Sequence, residues 1–366
     1  MRSRAVFIQV LLLASYAGAQ AAPDTFQGVE RVVAIGDVHA DFDRFVGVLR
    51  QAKLINTSNR WTGGAAHLVL CGDFIDRGPN SARVMDLIMT LEQQAQRARG
   101  RVHALIGNHE AMNMSGDLRY VSPEDFAAFR NRDSERLREL YLSATIEYLK
   151  TNGTVLPDEE AFRAQFIAER PLGWVERVQA FLPEGKYGKW LLTHQAIVKI
   201  NDVLYVHGGL SEKYVDLGLN EINESIRAEL RDPNRAPGGI TSDELGPLWF
   251  RGLIQAPEDD AATLGLVERI LEKHAVSHIV VGHTPGTAVM PRFGGRVIGI
   301  DVGLARVMGG QPAFLVIEKG EYSVVHQGKQ LRLPLQSEGV REYLEAAAAL
   351  DPPDSRLRIQ LQNGRP

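Results

Sequence analysis

Leu68-Val69-Leu70-Cys71-Gly72-Asp73-Phe74-Ile75-Asp76-Arg77-Gly78 is the stretch on which the fold turns. Four apolar residues stop at a glycine, and two acids and an arginine follow. The run reads as a strand buried on both faces, with the polar residues on the loop at its carboxyl end. The same transition recurs in Val32-Val33-Ala34-Ile35 before Gly36-Asp37-Val38-His39, and in His103-Ala104-Leu105-Ile106 before Gly107-Asn108-His109-Glu110. Val203-Leu204-Tyr205-Val206 runs into His207-Gly208-Gly209, and His278-Ile279-Val280-Val281 into Gly282-His283. In open α/β sheets ligands gather at this edge. Helical spacing of Phe42, Phe45, Val46 and Leu49 within Phe42–Leu54, and a similar stretch over Ala82–Ala98, predict a βαβαβ beginning. A two-residue turn at Asn201-Asp202 predicts a hairpin joining Leu191–Ile200 to the Val203 strand, so the fold class is α/β with mixed pairing.

Outward from these runs, residues 113–190 form a mainly helical insertion in a catalytic domain expected over residues 30–335. Ser122-Pro123-Glu124-Asp125 reads as a helix start, with Ser122 as N-cap and an acid closing the box. Leu137, Leu140, Tyr141 and Ala144 predict the buried stripe of a further helix. Phe126, Phe129, Tyr141 and Tyr148 read as insertion core, and the charge-rich Arg130–Arg138 as a solvated face. Residues 336–366 read as a helix from Val340 to Leu350, then Pro352-Pro353 and a poorly ordered end.

At the other terminus, Arg2 and Arg4 precede an apolar run from Ala5 to Ala14, then small residues at Ala17, Ala19 and Ala21. That is the pattern of a signal peptide over residues 1–21, and it predicts a periplasmic or secreted protein. The run is too short for an ordinary membrane span, so no integral membrane segment is expected in the mature chain. Removing those residues takes away two arginines and no acids, moving the formal charge from −4 to −6, which does not favour a nucleic-acid partner. Apolar residues at 44% and charged residues at 23% are ordinary for a folded globular chain. The single cysteine, Cys71, cannot form an internal disulfide and reads as a buried strand thiol.

Asp37, His39, Asp73, Asn108, His207 and His283 supply oxygen and nitrogen ligands from five strand-end loops, enough for two divalent cations. Carboxylate mixed with imidazole, without thiolate, suits Zn, Mn or Fe. Two cations about 3.5–4 Å apart can share a water, lower its pKa and stabilise both oxygens of an in-line displacement. Asp73, on the middle loop of the first three, is the expected bridge. His109 is the candidate general acid and Asp76 its orienting partner. Arg77 and, in Pro247-Leu248-Trp249-Phe250-Arg251-Gly252, Arg251 are candidates for phosphate oxygens.

These motifs together resemble the metallophosphoesterase superfamily and its phosphoprotein phosphatases: GDVHA at 36–40, GDFIDRG at 72–78, GNHE at 107–110, HGGL at 207–210 and GHTP at 282–285. Gly107–Asn113 with Gly116-Asp117-Leu118-Arg119-Tyr120-Val121, and Gly299-Ile300-Asp301-Val302-Gly303 with Gly309-Gly310, look like the bacterial Shewanella-like phosphatases. The resemblance spans about residues 31 to 318. It implies a four-layer α/β/β/α sandwich with mixed sheets. It implies one metal on Asp37, His39 and Asp73, and a second on Asp73, Asn108, His207 and His283. It further implies phosphate contacts from Arg77 and Asn108, an acid pair of His109 and Asp76, and activity on phosphotyrosine in several members. Arg251 is a looser match. Ala40 stands where the family commonly has glycine, which bears on the local turn. Thr284 replaces the second histidine of many phosphodiesterase members.

The expected activity is hydrolysis of phosphate monoesters on a phosphorylated protein or peptide, with phosphotyrosine preferred. A dinucleoside-polyphosphate hydrolase acting on a small phosphate ester is the first alternative, and a non-catalytic phosphoprotein-binding module the second. His67, His103, His194, His274, His278 and His326 lie outside the motifs and read as structural or solvated.

Overall fold

The computed structural model of the chain describes residues 23–232 and 238–363. The signal peptide expected over residues 1–21 lies outside the described residues. Twelve strands are described: β1 (Thr25–Phe26), β2 (Arg31–Ile35), β3 (His67–Leu70), β4 (Arg101–Ala104), β5 (Ile197–Ile200), β6 (Val203–Val206), β7 (His278–Val281), β8 (Met290–Arg292), β9 (Val297–Gly299), β10 (Ala313–Glu318), β11 (Glu321–His326) and β12 (Lys329–Arg332). They form two six-stranded mixed sheets, ordered β12-β11-β10-β2-β3-β4 and β1-β5-β6-β7-β9-β8.

In the first sheet β2, β3 and β4 are parallel, with Val33 opposite Leu68 and Val69 opposite His103. β10 covers the other side of β2 antiparallel to it, Val316 facing Val33. In the second, β6, β7 and β9 are parallel and β5 turns into β6 through Asn201-Asp202. All four residues of β3 and of β6 are buried, as continuous apolar runs require in a sheet covered on both faces. Helices α1 (Phe42–Gln51) and α2 (Ser81–Arg97) join the first three parallel strands, and α2 packs on β4. The Asp41 carboxylate caps α1, and Phe45, Val46, Val48 and Leu49 form its buried face. The 7-residue α3 (Asn108–Met114) follows β4 and is wholly buried.

Between α3 and β5 run α4 (Pro123–Ala128), α5 (Ser134–Thr151), α6 (Glu159–Glu169), α7 (Trp174–Phe181) and α8 (Lys186–Leu191). The second sheet is flanked by α9 (Leu219–Arg231) on β5 and α10 (Gly252–Gln255) on β9, with α11 (Ala261–His274) beyond. These layers make the four-layer sandwich. Among the described residues, no helix is long and apolar enough to cross a membrane.

Local details depart from expectation for identifiable reasons. The hairpin forms, but its first strand starts at Ile197, because Lys186–Leu191 is helical. His194 therefore lies on a turn, where its ring bonds Trp190 O and Glu92. Ser122 caps α4 through Asp125 N, yet Asp125 does not close the box: its carboxylate accepts from Ser81 N (2.9 Å) and Ser81 Oγ (2.5 Å). In α5 the buried residues are Ser134, Leu142 and Ile146, while Leu140 is 55% exposed. This stripe meets Phe166 of α6 in a small satellite cluster, leaving Tyr148 exposed. Residues 356–362, expected to belong to a poorly ordered end, form a further helix. After Pro352-Pro353, Ser355 caps α13 (Arg356–Gln362), and Arg358 donates to Ala348 O and Ala349 O at the end of α12 (Val340–Leu350).

Candidate metal centre

The five motif loops do not share one sheet edge. Those of Asp37, Asp73 and Asn108 follow β2, β3 and β4 of the first sheet, and those of His207 and His283 follow β6 and β7 of the second. They meet where the carboxyl ends of the two sets converge. Among the described residues, two groups of three buried side chains bring possible ligand atoms within 4.8 Å of one another: His39, Asp73 and His109, and Asp73, His207 and His283. Asp73 belongs to both.

Carbonyls set the histidine rings, because a carbonyl oxygen can only accept. His39 Nδ1 donates to Ile75 O (3.2 Å), His207 Nδ1 to Cys71 O (2.6 Å) and His283 Nε2 to Trp249 O (3.0 Å). The other nitrogen of each ring is thereby left for the centre, the arrangement that orients metal-ligating imidazoles. Burial lowers His39 to about 3 and pushes His283 down as well, keeping both neutral. His207 differs: burial opposes its charge, but Asp73, the Cys71 carbonyl and Glu110 together raise the ring. Its Nε2 lies 2.9 Å from Asn108 Oδ1 and 3.3 Å from Asp73 Oδ1, so a proton there occupies the space between three ligand atoms.

The carboxylates carry a surplus of buried negative charge. Asp37 Oδ1 accepts from His283 N (3.0 Å), and its Oδ2 lies 3.8 Å from His39 Nε2. Burial, Asp301 and Asp73 raise Asp37 well above the usual carboxylate range, and burial lifts Asp301 to about 6. Asp301 Oδ1 accepts from Gly303 N, while its buried Oδ2 accepts from no N–H or hydroxyl donor among the described residues. Crowded acids, an orphaned carboxylate oxygen and three imidazole nitrogens held toward them fit a pair of divalent cations.

His109 and Asp76 form the second feature. His109 Nδ1 donates to Asp76 Oδ2 (2.8 Å), which leaves Nε2 on the side of Asp73, 3.7 Å from its Oδ2. Burial works against the imidazolium, but Asp73 and Asp76 raise it. Arg77 is half-buried beside them, its guanidinium 4.8 Å over the ring of Tyr120 and its Nε without a hydrogen-bond partner among the described residues. Tyr120 also lies 5.0 Å from the His109 ring and is 38% exposed. Arg251 donates to His283 O (2.6 Å) and lies 3.5 Å from Thr284 Oγ1, so it ties the last ligand loop.

Backbone strain concentrates here. His39, Ala40, Asp73, Asp76, Arg77 and His283 all have φ between 44° and 65°, a region costing non-glycine residues of order 1 kcal/mol or more. Ala40 at φ 55° accounts for the glycine common at that place. Gly72 is required on two counts: its φ is 89°, and a Cβ would lie 2.6 Å from His207 Nδ1.

Glu110 holds the strained loop down, a role that the sequence reading missed. Its carboxylate accepts from Asp73 N (2.8 Å), Phe74 N (3.1 Å) and Gly107 N (2.8 Å). Glu110→Ala is expected to lower unfolding free energy by about 3 kcal/mol or more, since each orphaned buried donor costs about 1–3 kcal/mol. Urea denaturation measures this, and a loss below about 1 kcal/mol would show that the three amides find other acceptors. Asp301, Tyr120, Asn113 and Arg177 were likewise given no role by the sequence. Of these, Asp301 alone repeated the signal of an acid directly after an apolar strand.

Residues 30–286 match the family model described as calcineurin-like phosphoesterase. A solved structure, the cold-active protein-tyrosine phosphatase of a psychrophilic Shewanella species, is 30% identical, with a TM-score of 0.66 over 86% of this chain and 83% of that one. Shewanella-like protein phosphatase 2 of Arabidopsis thaliana is 29% identical over 293 residues, 77% of this chain and 73% of its own. An uncharacterized protein of Schizosaccharomyces pombe is 29% identical over 316 residues, 82% of each chain. With the family model matching most of the chain and the fold shared with the Shewanella enzyme, this protein belongs to the calcineurin-like phosphoesterases, a family of metal-dependent phosphate-ester hydrolases.

Proposed function

We propose that the protein is a dinuclear phosphatase that hydrolyses phosphate monoesters on proteins, with phosphotyrosine preferred. The observation that carries the reading is Asp73 shared between two buried ligand groups, with Arg77 and the His109–Asp76 pair beside it. Asp37, His39 and Asp73 would hold one cation, and Asp73, Asn108, His207 and His283 the other; Mn, Fe or Zn suits these donors. When bound, such a pair supplies an activated water and neutralises charge on the phosphate.

The chain's own residues do the rest. Arg77 binds phosphate oxygens through its planar fork, and the Tyr120 ring keeps the guanidinium in place. As a bond forms between phosphorus and the water oxygen and the ester P–O bond breaks, His109 Nε2 gives its proton to the leaving oxygen. Asp76, accepting from Nδ1, keeps that nitrogen aimed. The N-terminal pattern supports a periplasmic or secreted location.

Tyr120 supports the aryl preference. It is an exposed aromatic face of the segment between α3 and α4, set against both the candidate acid and the candidate phosphate ligand. A phenyl ester can lay its ring there, while a seryl ester has nothing to stack. On one peptide sequence, kcat/KM for the phosphotyrosyl form is expected to exceed that for the phosphoseryl form by about 10–200-fold, the usual range for one apolar pocket. Tyr120→Ala should narrow the gap by about 3–10-fold, the worth of one aromatic contact. Equal or better seryl hydrolysis removes the preference, and faster turnover of dinucleoside polyphosphates than of any phosphopeptide removes the protein substrate.

A further inference from the structure

Arg177 of α7 is fully buried, although it belongs to the insertion and lies 101 residues from Asp76. Its guanidinium makes three bonds: Nη2 to Asp76 Oδ1 (2.8 Å), Nη1 to Asp125 Oδ2 (2.6 Å) and Nε to Asn113 Oδ1 (3.0 Å). Phe129 and Phe181 each lie 5.1 Å from it, with ring faces that hold the planar group. The ring of bonds then closes. Asp125 accepts from Ser81, and Ser81 Oγ accepts from Asp76 N (3.1 Å). Asp76 is thus gripped at its backbone, at Oδ1 by Arg177 and at Oδ2 by His109, with Asn113 Nδ2 donating to both oxygens.

We propose that Arg177 is a positioning residue for proton transfer: it fixes the Asp76 carboxylate, which in turn aims His109 at the leaving oxygen. The inference rests on the reading of His109 as general acid. A purely structural salt bridge would need only Asp125, whereas here one guanidinium spans Asp125 and the carboxylate that holds the acid. Outer partners of this kind commonly shift activity 10–100-fold without touching the substrate.

Three variants test it. Arg177→Lys keeps the charge but cannot form the three-armed contact. The pair Arg177→Met with Asp125→Asn removes one positive and one negative charge together, so that no ion is left buried alone. His109→Asn serves as the reference. Each is assayed on a series of aryl and alkyl phosphates of rising leaving-group pKa, with metal content and melting temperature measured alongside.

Turnover of nitrophenyl phosphate is expected to fall less than about 5-fold, and that of poor leaving groups about 10–100-fold, at normal metal content. Adding Arg177→Lys to His109→Asn should cause no further loss on poor leaving groups, because a residue that acts only through His109 has nothing left to position once His109 is gone. A fall equal for all leaving groups, a fall confined to KM, or a fall that follows lost metal assigns Arg177 a structural role and overturns the proposal. If His109→Asn itself shows no leaving-group dependence, it is the acid assignment that fails.

Discussion

Asp73→Asn is expected to leave fewer than one metal per chain and to lower kcat by about 10³-fold or more, the equivalent of roughly 4 kcal/mol of transition-state stabilisation. The reason is geometric as well as electrostatic. Asp73 Oδ1 accepts from His109 N (2.9 Å) and faces His207 Nε2, while Oδ2 faces His109 Nε2. Nitrogen surrounds both oxygens. An asparagine supplies one acceptor, and its amide must turn a donor toward another donor. It also removes the negative charge common to both ligand groups. Elemental analysis of the purified variant, with a thermal melt to show that it is folded, decides the matter. Two metals in a folded Asp73→Asn protein would dissolve the shared-ligand reading.

For His109→Asn the expected fall in kcat is about 10²–10⁴-fold, the usual effect of losing a general acid, with metal content unchanged. His109 Nε2 lies close enough to His39 and Asp73 to be grouped with them as a possible ligand. Two roles are therefore geometrically open, and metal content separates them. Asp76 behind Nδ1 argues for the acid, since Asp73 and Asp76 both raise the ring. A loss that shrinks for nitrophenyl phosphate and grows for alkyl phosphates identifies the proton donor. A variant retaining one metal of two makes His109 a ligand instead.

The parts legible in the sequence were those encoded locally. A buried strand ending at glycine and an acid is written within eight residues, so the βαβαβ unit and the five motif loops could be located directly. Their division between two sheets could not, because apolar runs do not state which strands pair. Face assignments in α5 failed for a related reason: the helix is covered by α6 and α7 of the same insertion, and spacing alone does not name the covering elements. Arg177 left a faint trace, a charge on the same stripe as Val178 and Phe181. Its partners are 52, 64 and 101 residues away, out of reach of any local pattern. Glu110 stood inside a recognised motif, but its work is to accept three main-chain donors, and nothing in an isolated glutamate announces that.

The position of β10 between β11 and β2 has a consequence for how the chain is made. β2 is synthesised early, and its antiparallel partner follows roughly 280 residues later. At about 5–20 residues per second, the β2 edge of the βαβαβ unit waits on the order of 15–60 s with its main-chain donors and acceptors unpaired. Such an edge is a template for pairing with another chain. Fragments ending before Ala313 should therefore aggregate rather than fold as a smaller domain.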